Sequence, residues 1–357
     1  MDILNRYVLK KFLKTFLFVV GVMVLVVVVI DFTEKNHKFI QNKLSTSDIL
    51  GYYYGFIPYI ISLVTPITAF IATVYVTAQL SQRTELIAIL SSGKSFIYII
   101  KSFFIGSLII AISSFLLNGW IIPHLNKDRV AFEVMYVKGP YFFSDKNVHF
   151  KIDENSYLYL ERYDNNMEIG YNVTIENFED NELKAKLFAR QIIWKNDIEK
   201  WRLKSWRTRE LYDKGEEINT GFELDTTLLV SPSDFDNNYR LSETFTNNEL
   251  NEFINLQQLR GADDTNIYKI EKYMRIAQPF TVILLVILGV VIASRKSRQG
   301  KGYLIALGFS FAFAFIISFV MSRAFAENGS LAPILAIWLP NIIFSFLTAY
   351  LYKLAPK

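Results

Sequence analysis

The chain has 357 residues, of which 52% are hydrophobic, and it carries a formal net charge of +4. It contains no cysteine, which excludes disulfides, thiolate metal sites and cysteine nucleophiles. A net charge this small gives no reason to expect a nucleic-acid partner. The positions of the charged residues along the chain say more about the protein than their sum.

Long apolar segments lie on both sides of a polar middle region. Each of the six approaches or exceeds the ~20 residues that a helix needs to cross a hydrocarbon core about 30 Å thick. Six segments of this length cannot share one small soluble domain. The sequence therefore predicts a polytopic α-helical membrane protein with six transmembrane helices, three before and three after one large insert. The segments are 12–30, 56–80, 96–122, 274–293, 303–326 and 331–351.

The lysine and arginine residues of the short loops predict the orientation of these helices. They crowd the amino terminus, the loop after the second segment, the loop after the fourth and the carboxyl terminus. We therefore expect both termini in the cytoplasm and the insert outside. The first segment lacks a small-x-small cleavage site, so we expect it to be retained rather than removed as a signal peptide. The basic residues are Arg6, Lys10, Lys11, Lys14, Arg83, Lys94, Lys101, Arg295, Lys296, Arg298, Lys301, Lys353 and Lys357.

The loop after the second segment carries helix signals of its own. Thr84 is suited to be an N-cap, Glu85 lies where the helix dipole favours an anion, and Gly93 is suited to end the helix. A short amphipathic helix over about 84–92 is predicted at the cytoplasmic surface. It either contacts a partner or only packs on the membrane interface. Its apolar stripe consists of Leu86, Ile87, Ile89 and Leu90.

The insert, taken as residues 124–262, begins with short runs in which apolar and polar residues alternate. Turn-like clusters of Asn, Asp and Gly separate the runs. Many short strands at near-regular spacing are typical of an antiparallel sandwich, barrel or jelly roll. We expect an all-β, jelly-roll-like periplasmic domain between two membrane regions, 1–123 and 263–357. The runs are 148–152, 157–163, 173–178, 184–190 and 201–206.

The end of the insert changes to helix signals. Thr246 and Glu249 form a capping box, in which the threonine side chain bonds the amide three residues on and the glutamate reaches back. A short helix should follow and end at Gly261. A second helical run leads into the fourth crossing, where Pro279 should kink the helix or mark its entry into the membrane.

Residues for catalysis or metal binding are not recognisable in the sequence. Gly93, Lys94 and Ser95 resemble the end of a phosphate-binding loop, but the preceding glycine and strand of that motif are missing. The histidines show no metal-ligand spacing, and the crossings are nearly free of ionisable residues away from their ends. We therefore expect no catalytic residue, metal or cofactor. A transport function would need a partner ATPase docking on the cytoplasmic side.

Several motifs of the chain occur together in one family. The most specific is in the last segment, where residues 331–333 (LAP) are followed by 336–341 (AIWLPN). Through these motifs and the order of three segments, insert and three segments, nearly the whole chain resembles the LptF/LptG permeases of lipopolysaccharide export. Residues 3–8 (ILNRYV) and 29–32 (VIDF) look like the LptG branch. The remaining matches are 83–88 (RTELIA) with 92–93 (SG), similar to the family's coupling-helix motif, and Tyr268, Glu271, Arg275 and Pro279 before the fourth helix.

The resemblance implies a role and a set of partners. It implies a non-catalytic permease of the bacterial inner membrane that extracts lipopolysaccharide and passes it to a periplasmic bridge. The partners would be an LptB-type ATPase dimer, a second LptF/LptG-type permease, LptC and an LptA-type bridge. The family often has a basic residue after the coupling leucine, whereas Ser91 follows Leu90 here. The ATPase-coupling residues would be Arg83, Glu85, Leu86, Ile89, Leu90 and Gly93.

Basic residues also follow the first segment at the height of lipid headgroups. Lys35, Lys38 and Lys43 are suited to contact the phosphates of lipopolysaccharide. The alternative is that they are ordinary solvated or snorkelling lysines.

Two other functions and one choice of packing stay open from the sequence. A lipoprotein-releasing or mechanotransmitting ABC permease would have four crossings with the large domain after the first. A membrane-anchored periplasmic scaffold would co-purify with no ATPase.

On the fifth segment, small residues could pack against a partner permease or within the same chain. They are Ala306, Ser310 and Ala314 on one face, and Gly308 and Ala312 on a neighbouring face.

Overall fold

The computed structural model describes most of the chain and divides it into two compact units. The first, called the helical unit, comprises Met1–Phe132, Ser242–Leu250 and Asn266–Lys357. The second, called the β unit, comprises Glu133–Leu241 and Asn251–Thr265. The predicted helix stop at Gly261 and the basic residues 295–298 lie outside the described residues. The described residues are 2–138, 143, 146–153, 155–180, 182–212, 215–228, 230–235, 239–259, 265–294 and 301–354.

Six helices of the described residues are long and apolar enough to cross a membrane, which confirms the prediction. The first, second, fourth and fifth of them are longer than the apolar segments alone suggested, because polar residues at their ends remain helical. The first helix continues beyond Ile30, and the second begins at a capping box between Ser45 and Asp48 that the sequence reading missed. The helices are α1 Ile3–Gln41, α2 Thr46–Gln82, α4 Phe96–Leu116, α7 Asn266–Ala293, α8 Lys301–Glu327 and α9 Pro333–Lys353.

Shorter helical elements lie between them. The helix α3, Glu85–Ser91, follows α2. A π-helical turn, Leu117–Ile121, continues α4 and leads into α5, Ile122–Phe132, and a second π-helical turn, Glu133–Lys138. Two 3₁₀ turns, Pro232–Phe235 and Leu241–Glu243, precede α6, Asn247–Leu259.

One core cluster of the helical unit is built from side chains that α1, α2, α4 and α7 direct toward one another, and a second lies between α2, α7, α8 and α9. Phe12 of α1 and Phe103 of α4 are fully buried, with ring centroids 5.4 Å apart. The close approach of these helices depends on Gly106, since a Cβ there would lie 2.6 Å from a ring carbon of Phe12. Small residues allow such contact between membrane helices, where packing rather than water exclusion drives association.

The second unit contains one antiparallel sheet of six strands among the described residues, which confirms an inserted β domain. The strands pair in chain order, so the sheet is a meander without the Greek-key order of a jelly roll among these strands. Leu160, Val173 and Leu203 are buried on one face of the sheet and alternate with residues that are only partly buried or exposed. The strands are β1 Lys146–Lys151, β2 Ser156–Asp164, β3 Ile169–Glu179, β4 Glu182–Lys195, β5 Lys200–Tyr212 and β6 Gly215–Thr226.

The predicted capping box is present at the start of α6. The main-chain N–H of Thr246 donates to the Glu249 carboxylate over 2.7 Å, and the N–H of Glu249 donates to the Thr246 hydroxyl over 3.4 Å. Both bonds satisfy N–H groups that the first turn of a helix leaves without main-chain partners.

Candidate functional site

The helix α3 forms where the sequence predicted it, with one difference at its start. Thr84 occupies the N-cap position at a φ of +55°, but its side chain makes no capping bond and instead donates to the Arg83 carbonyl over 2.6 Å. The expected threonine cap was therefore wrong in its hydrogen bonding. After the helix ends at Ser91, Gly93 adopts a φ of +83°, a conformation that glycine accepts without strain.

The apolar residues of α3 face the chain's own core. Leu86 and Ile89 are buried in the cluster that contains Leu80 and Phe96, and Leu90 packs partly buried against it. Ile87 is exposed. The surface that α3 leaves free therefore differs from the apolar stripe read from the sequence. The exposed residues of α3 are Ile87, Ala88 and Ser91, and the residues next to its ends, Arg83, Thr84, Ser92 and Gly93, are exposed as well.

The Glu85 carboxylate connects α3 to the first membrane helix. The hydroxyl of Tyr7 donates to Glu85 Oε2 over 3.1 Å, and Lys11 Nζ lies 3.9 Å from the same oxygen. Arg83 Nη1 lies 3.9 Å from Glu85 Oε1. The Glu85 side chain is 29% exposed, so these charges attract one another weakly in water. The hydrogen bond from Tyr7 and the nearby Lys11 ammonium together hold the Glu85 carboxylate, and with it α3, against α1.

The start of α1 also contacts the start of α4. Ser102 donates a buried hydrogen bond of 2.6 Å to Asn5 Oδ1, and Tyr98 donates to Asp2 over 2.9 Å. The hydrogen bond from Tyr98 is the main cause that lowers the pKa of Asp2. The first turns of α1 thus lie against both α3 and α4, so a displacement of α3 would act on a helix that is already anchored.

The three lysines predicted to contact phosphates have different surroundings. Lys35 lies on α1, 2.6 Å from Asp31, and hydrogen-bonds the Tyr52 hydroxyl. Its ammonium also lies over the rings of Tyr52 and Phe56, at 4.6 and 5.3 Å from their centroids. Its side chain is only 16% exposed. Lys38 and Lys43 are exposed, so the structure separates one enclosed lysine from two that face solvent or headgroups.

Sequence reasoning missed the partners of two of these groups. Tyr7 and Lys11 are one helical turn apart, but no local pattern shows that α3 would lie beside them. Asp31 was counted with a loop, because the apolar segment was read as ending at Ile30. A signal was available there, since Asp31 and Lys35 have the four-residue spacing of helical ion pairs.

Comparison with known proteins gives a match along almost the entire chain. The profile of the family described as "Lipopolysaccharide export system permease LptF/LptG" matches residues 6–354. The chain is also similar to the "Lipopolysaccharide export system permease protein LptG" of Escherichia coli K12, with 18% identity over 98% of this chain and 97% of that protein. The LptG protein of Escherichia coli O6:H1 gives the same identity and coverage.

Proposed function

Since the chain belongs to the LptF/LptG family of lipopolysaccharide export permeases, we propose that it extracts lipopolysaccharide from the inner membrane while a separate ATPase supplies the energy. The observation that carries this function is the family match over residues 6–354. The helices described above agree with it, since six of membrane-crossing length flank one sheet, unlike the four crossings of a lipoprotein-releasing permease. The chain itself would carry out no chemistry.

The proposed orientation places both termini and α3 in the cytoplasm and the sheet in the periplasm. It rests on the basic residues of the short loops, which favour the cytoplasmic side. The extracted lipid would then leave the membrane on the side of the sheet, where a periplasmic bridge of the LptA type could receive it.

We place the contact with an LptB-type ATPase dimer on the exposed face of α3. Arg83 and Ile87 offer it a charge and an apolar side chain, while Leu86 and Ile89 hold the helix on the core. Glu85 has the proposed role of a relay, because its carboxylate joins α3 to Tyr7 and Lys11 of α1. ATPase movement that reaches α3 would then act on α1.

Variants of the relay in the complete transporter test this role. Tyr7→Phe removes one hydrogen bond, worth about 0.5–1.5 kcal/mol, so transport per ATP should fall roughly two- to tenfold. Glu85→Lys places a third positive charge beside Lys11 and Arg83 and should uncouple transport or release the ATPase. Glu34→Gln, an exposed acid near the other end of α1, is the matched control. Normal ATPase association and transport in Glu85→Lys would exclude the relay.

A second LptF/LptG-type permease and LptC are the proposed partners within the membrane. Gly308 of α8 packs against Val74 of the same chain, and Ala312 is buried. Ala306, Ser310 and Ala314 form the exposed face, which leaves it open to another helix. We assign the chain to the LptG branch from residues 3–8 and 29–32, so the co-purifying permease should be of the LptF type. Purification without any ATPase or second permease would instead favour a periplasmic scaffold.

A further inference from the structure

Helix α2 continues through two prolines, Pro58 and Pro66, each of which removes one of its main-chain hydrogen bonds. Pro66 has no N–H to donate to the Ser62 carbonyl four residues earlier. A carbonyl without a donor is costly inside a membrane, where water cannot replace it. Here the side chain of Gln278 in α7 takes that place, and its Nε2 donates to the Ser62 carbonyl oxygen over 2.7 Å.

The Gln278 amide is itself held by a closed ring of hydrogen bonds. The Ser62 hydroxyl donates to Asn118 Oδ1 over 2.5 Å, and Asn118 Nδ2 donates to Gln278 Oε1 over 3.0 Å. Asn118 lies in the π-helical turn that follows α4, a type of irregularity that is frequent at functional sites. The ring therefore joins α2, this turn and α7 at the step where α2 lacks its own bond.

The same arrangement recurs at a second proline. Pro340 in α9 cannot donate to the Ala336 carbonyl, and the Ser322 hydroxyl of α8 donates to that oxygen over 2.5 Å. Ser322 and Ala336 are both buried. At Pro66 and Pro340, two of the four prolines inside the described membrane helices, a side chain from a neighbouring helix replaces the bond that proline removed.

We propose that α2 bends at the Ser62–Pro66 step and that Gln278 is a releasable clamp on this bend. A regular helix must give up a main-chain bond to kink sharply, whereas this step is held by a side chain that can leave by changing rotamer. Helix α2 ends at Gln82, shortly before α3, so bending at Pro66 changes the position of α3 relative to the outer half of α2. The use of this bend in transport rests on the proposed function, but the clamp itself does not.

Distances between two spin labels on α2 test the clamp in the purified full-length chain. Tyr54→Cys and Tyr75→Cys provide exposed attachment sites on either side of Pro66, about 30 Å apart along a helix. The labelled chain should give one narrow distance distribution, which Gln278→Leu should broaden or shift. Adding Pro66→Ala should restore the narrow distribution, because alanine supplies an N–H that can donate to the Ser62 carbonyl. Adding Pro340→Ala instead, the matched control, should leave the broadening in place.

Thermal unfolding of the same variants gives a second readout. Gln278→Leu should lower the unfolding temperature, and Pro66→Ala should remove most of that loss. The proposal would be overturned if Gln278→Leu lowered the unfolding temperature equally with proline and with alanine at position 66. An unchanged distance distribution in Gln278→Leu would overturn it as well. If Gln278→Leu cannot be purified, recovery of the Pro66→Ala/Gln278→Leu variant supports the clamp and failure of both contradicts it. None of these measurements needs lipopolysaccharide, so loss of the proposed transport function would leave their outcome unaffected.

Discussion

The Lys35 ammonium lies 2.6 Å from the Asp31 carboxylate, on the same face of α1 and one turn further along. Both side chains are more than four-fifths buried, so the pair loses little strength to solvent. Lys35→Glu would place a second carboxylate beside Asp31, and we expect it to lower the free energy of unfolding by roughly 1.5–3 kcal/mol. The charge-swapped variant Asp31→Lys/Lys35→Glu should regain part of the loss. Unfolding temperatures of the solubilised chain measure both, and equal losses in the two variants would contradict a role for the pair.

The exposed lysines Lys38 and Lys43 are the better candidates for phosphate contacts. Reversing both charges adds repulsion as well as removing attraction, so Lys38→Glu/Lys43→Glu should weaken lipopolysaccharide binding about tenfold or more. Photo-crosslinking of lipopolysaccharide to the assembled transporter measures the effect. Lys14→Glu, an exposed lysine near the other end of α1, should leave crosslinking unchanged. Wild-type crosslinking in the double variant would instead indicate solvated or snorkelling lysines.

The proposed orientation has a direct chemical test, because the chain contains no cysteine. Asn166→Cys labels an exposed turn of the β unit and is preferable to Asn165, whose side chain accepts a 3.0 Å bond from the Phe143 N–H. Ser297→Cys labels the basic loop, which lies outside the described residues. In intact spheroplasts an impermeant thiol reagent should react with the first and spare the second. The reverse pattern would contradict cytoplasmic termini and a periplasmic sheet.

The membrane helices and strands could be predicted because their signals are local. Apolar length identifies a crossing helix, and alternation identifies a strand such as β2. The last strand, β6, was missed because most of its residues are exposed and its alternation is weak. Helix ends were also misjudged, since Asp31 and Lys35 stabilise each other within α1 although both are polar.

The candidate site shows the same division between local and distant information. The position of α3 followed from Glu85 and Gly93, but the burial of Leu86 and Ile89 depends on helices distant in sequence. Nor could the sequence show that Gln278 would meet the carbonyl that Pro66 leaves free, because the two residues are far apart in the chain. Such pairings are set by how the helices pack, which periodicity does not encode.

The capping box of α6 predicts a local dependence on pH. The hydrogen bond from the Thr246 N–H, more than any other contact, lowers the pKa of Glu249, and Lys127 adds to the effect. Because the pKa is lower in the folded state, the stabilisation is fully present above the unfolded value and is lost as the pH falls through the folded value. The hydrogen-exchange protection factor in the first turn of α6, which is the intrinsic exchange rate at each pH divided by the observed rate, should therefore fall on acidification. In Glu249→Gln this fall should disappear, and an unchanged pH dependence of the protection factor in that variant would contradict the assignment.

The Arg129 guanidinium is fully buried and is held to the segment before α6 by Glu243. Its Nη2 donates to Glu243 Oε2 over 2.5 Å, its Nε donates to Asn126 Oδ1 over 2.9 Å, and it lies 4.2 Å from the centroid of the Tyr59 ring. A buried guanidinium has lost its hydrating water, so it depends on a well-placed carboxylate to stabilise its charge. This pair is one of the contacts that hold residues 242–250 to the helical unit to which they belong, together with hydrogen bonds from Arg275 and Asn126.

Removing only the carboxylate should cost far more than removing both charges. Glu243→Ala removes the carboxylate that Arg129 Nη2 bonds over 2.5 Å, and we expect a loss of about 3–5 kcal/mol in the free energy of unfolding. Arg129→Met/Glu243→Leu replaces the pair with apolar side chains of similar volume and should recover most of that loss. Arg129→Lys keeps the positive charge but should still be less stable than the wild type. Lysine lacks the planar fork with which Arg129 bonds Glu243 and Asn126 together. Thermal unfolding of the solubilised chain compares these variants, with the exposed Glu252→Ala as a control that should change stability by no more than about 0.5 kcal/mol. A Glu243→Ala variant as stable as this control would show that the ion pair does not hold the segment.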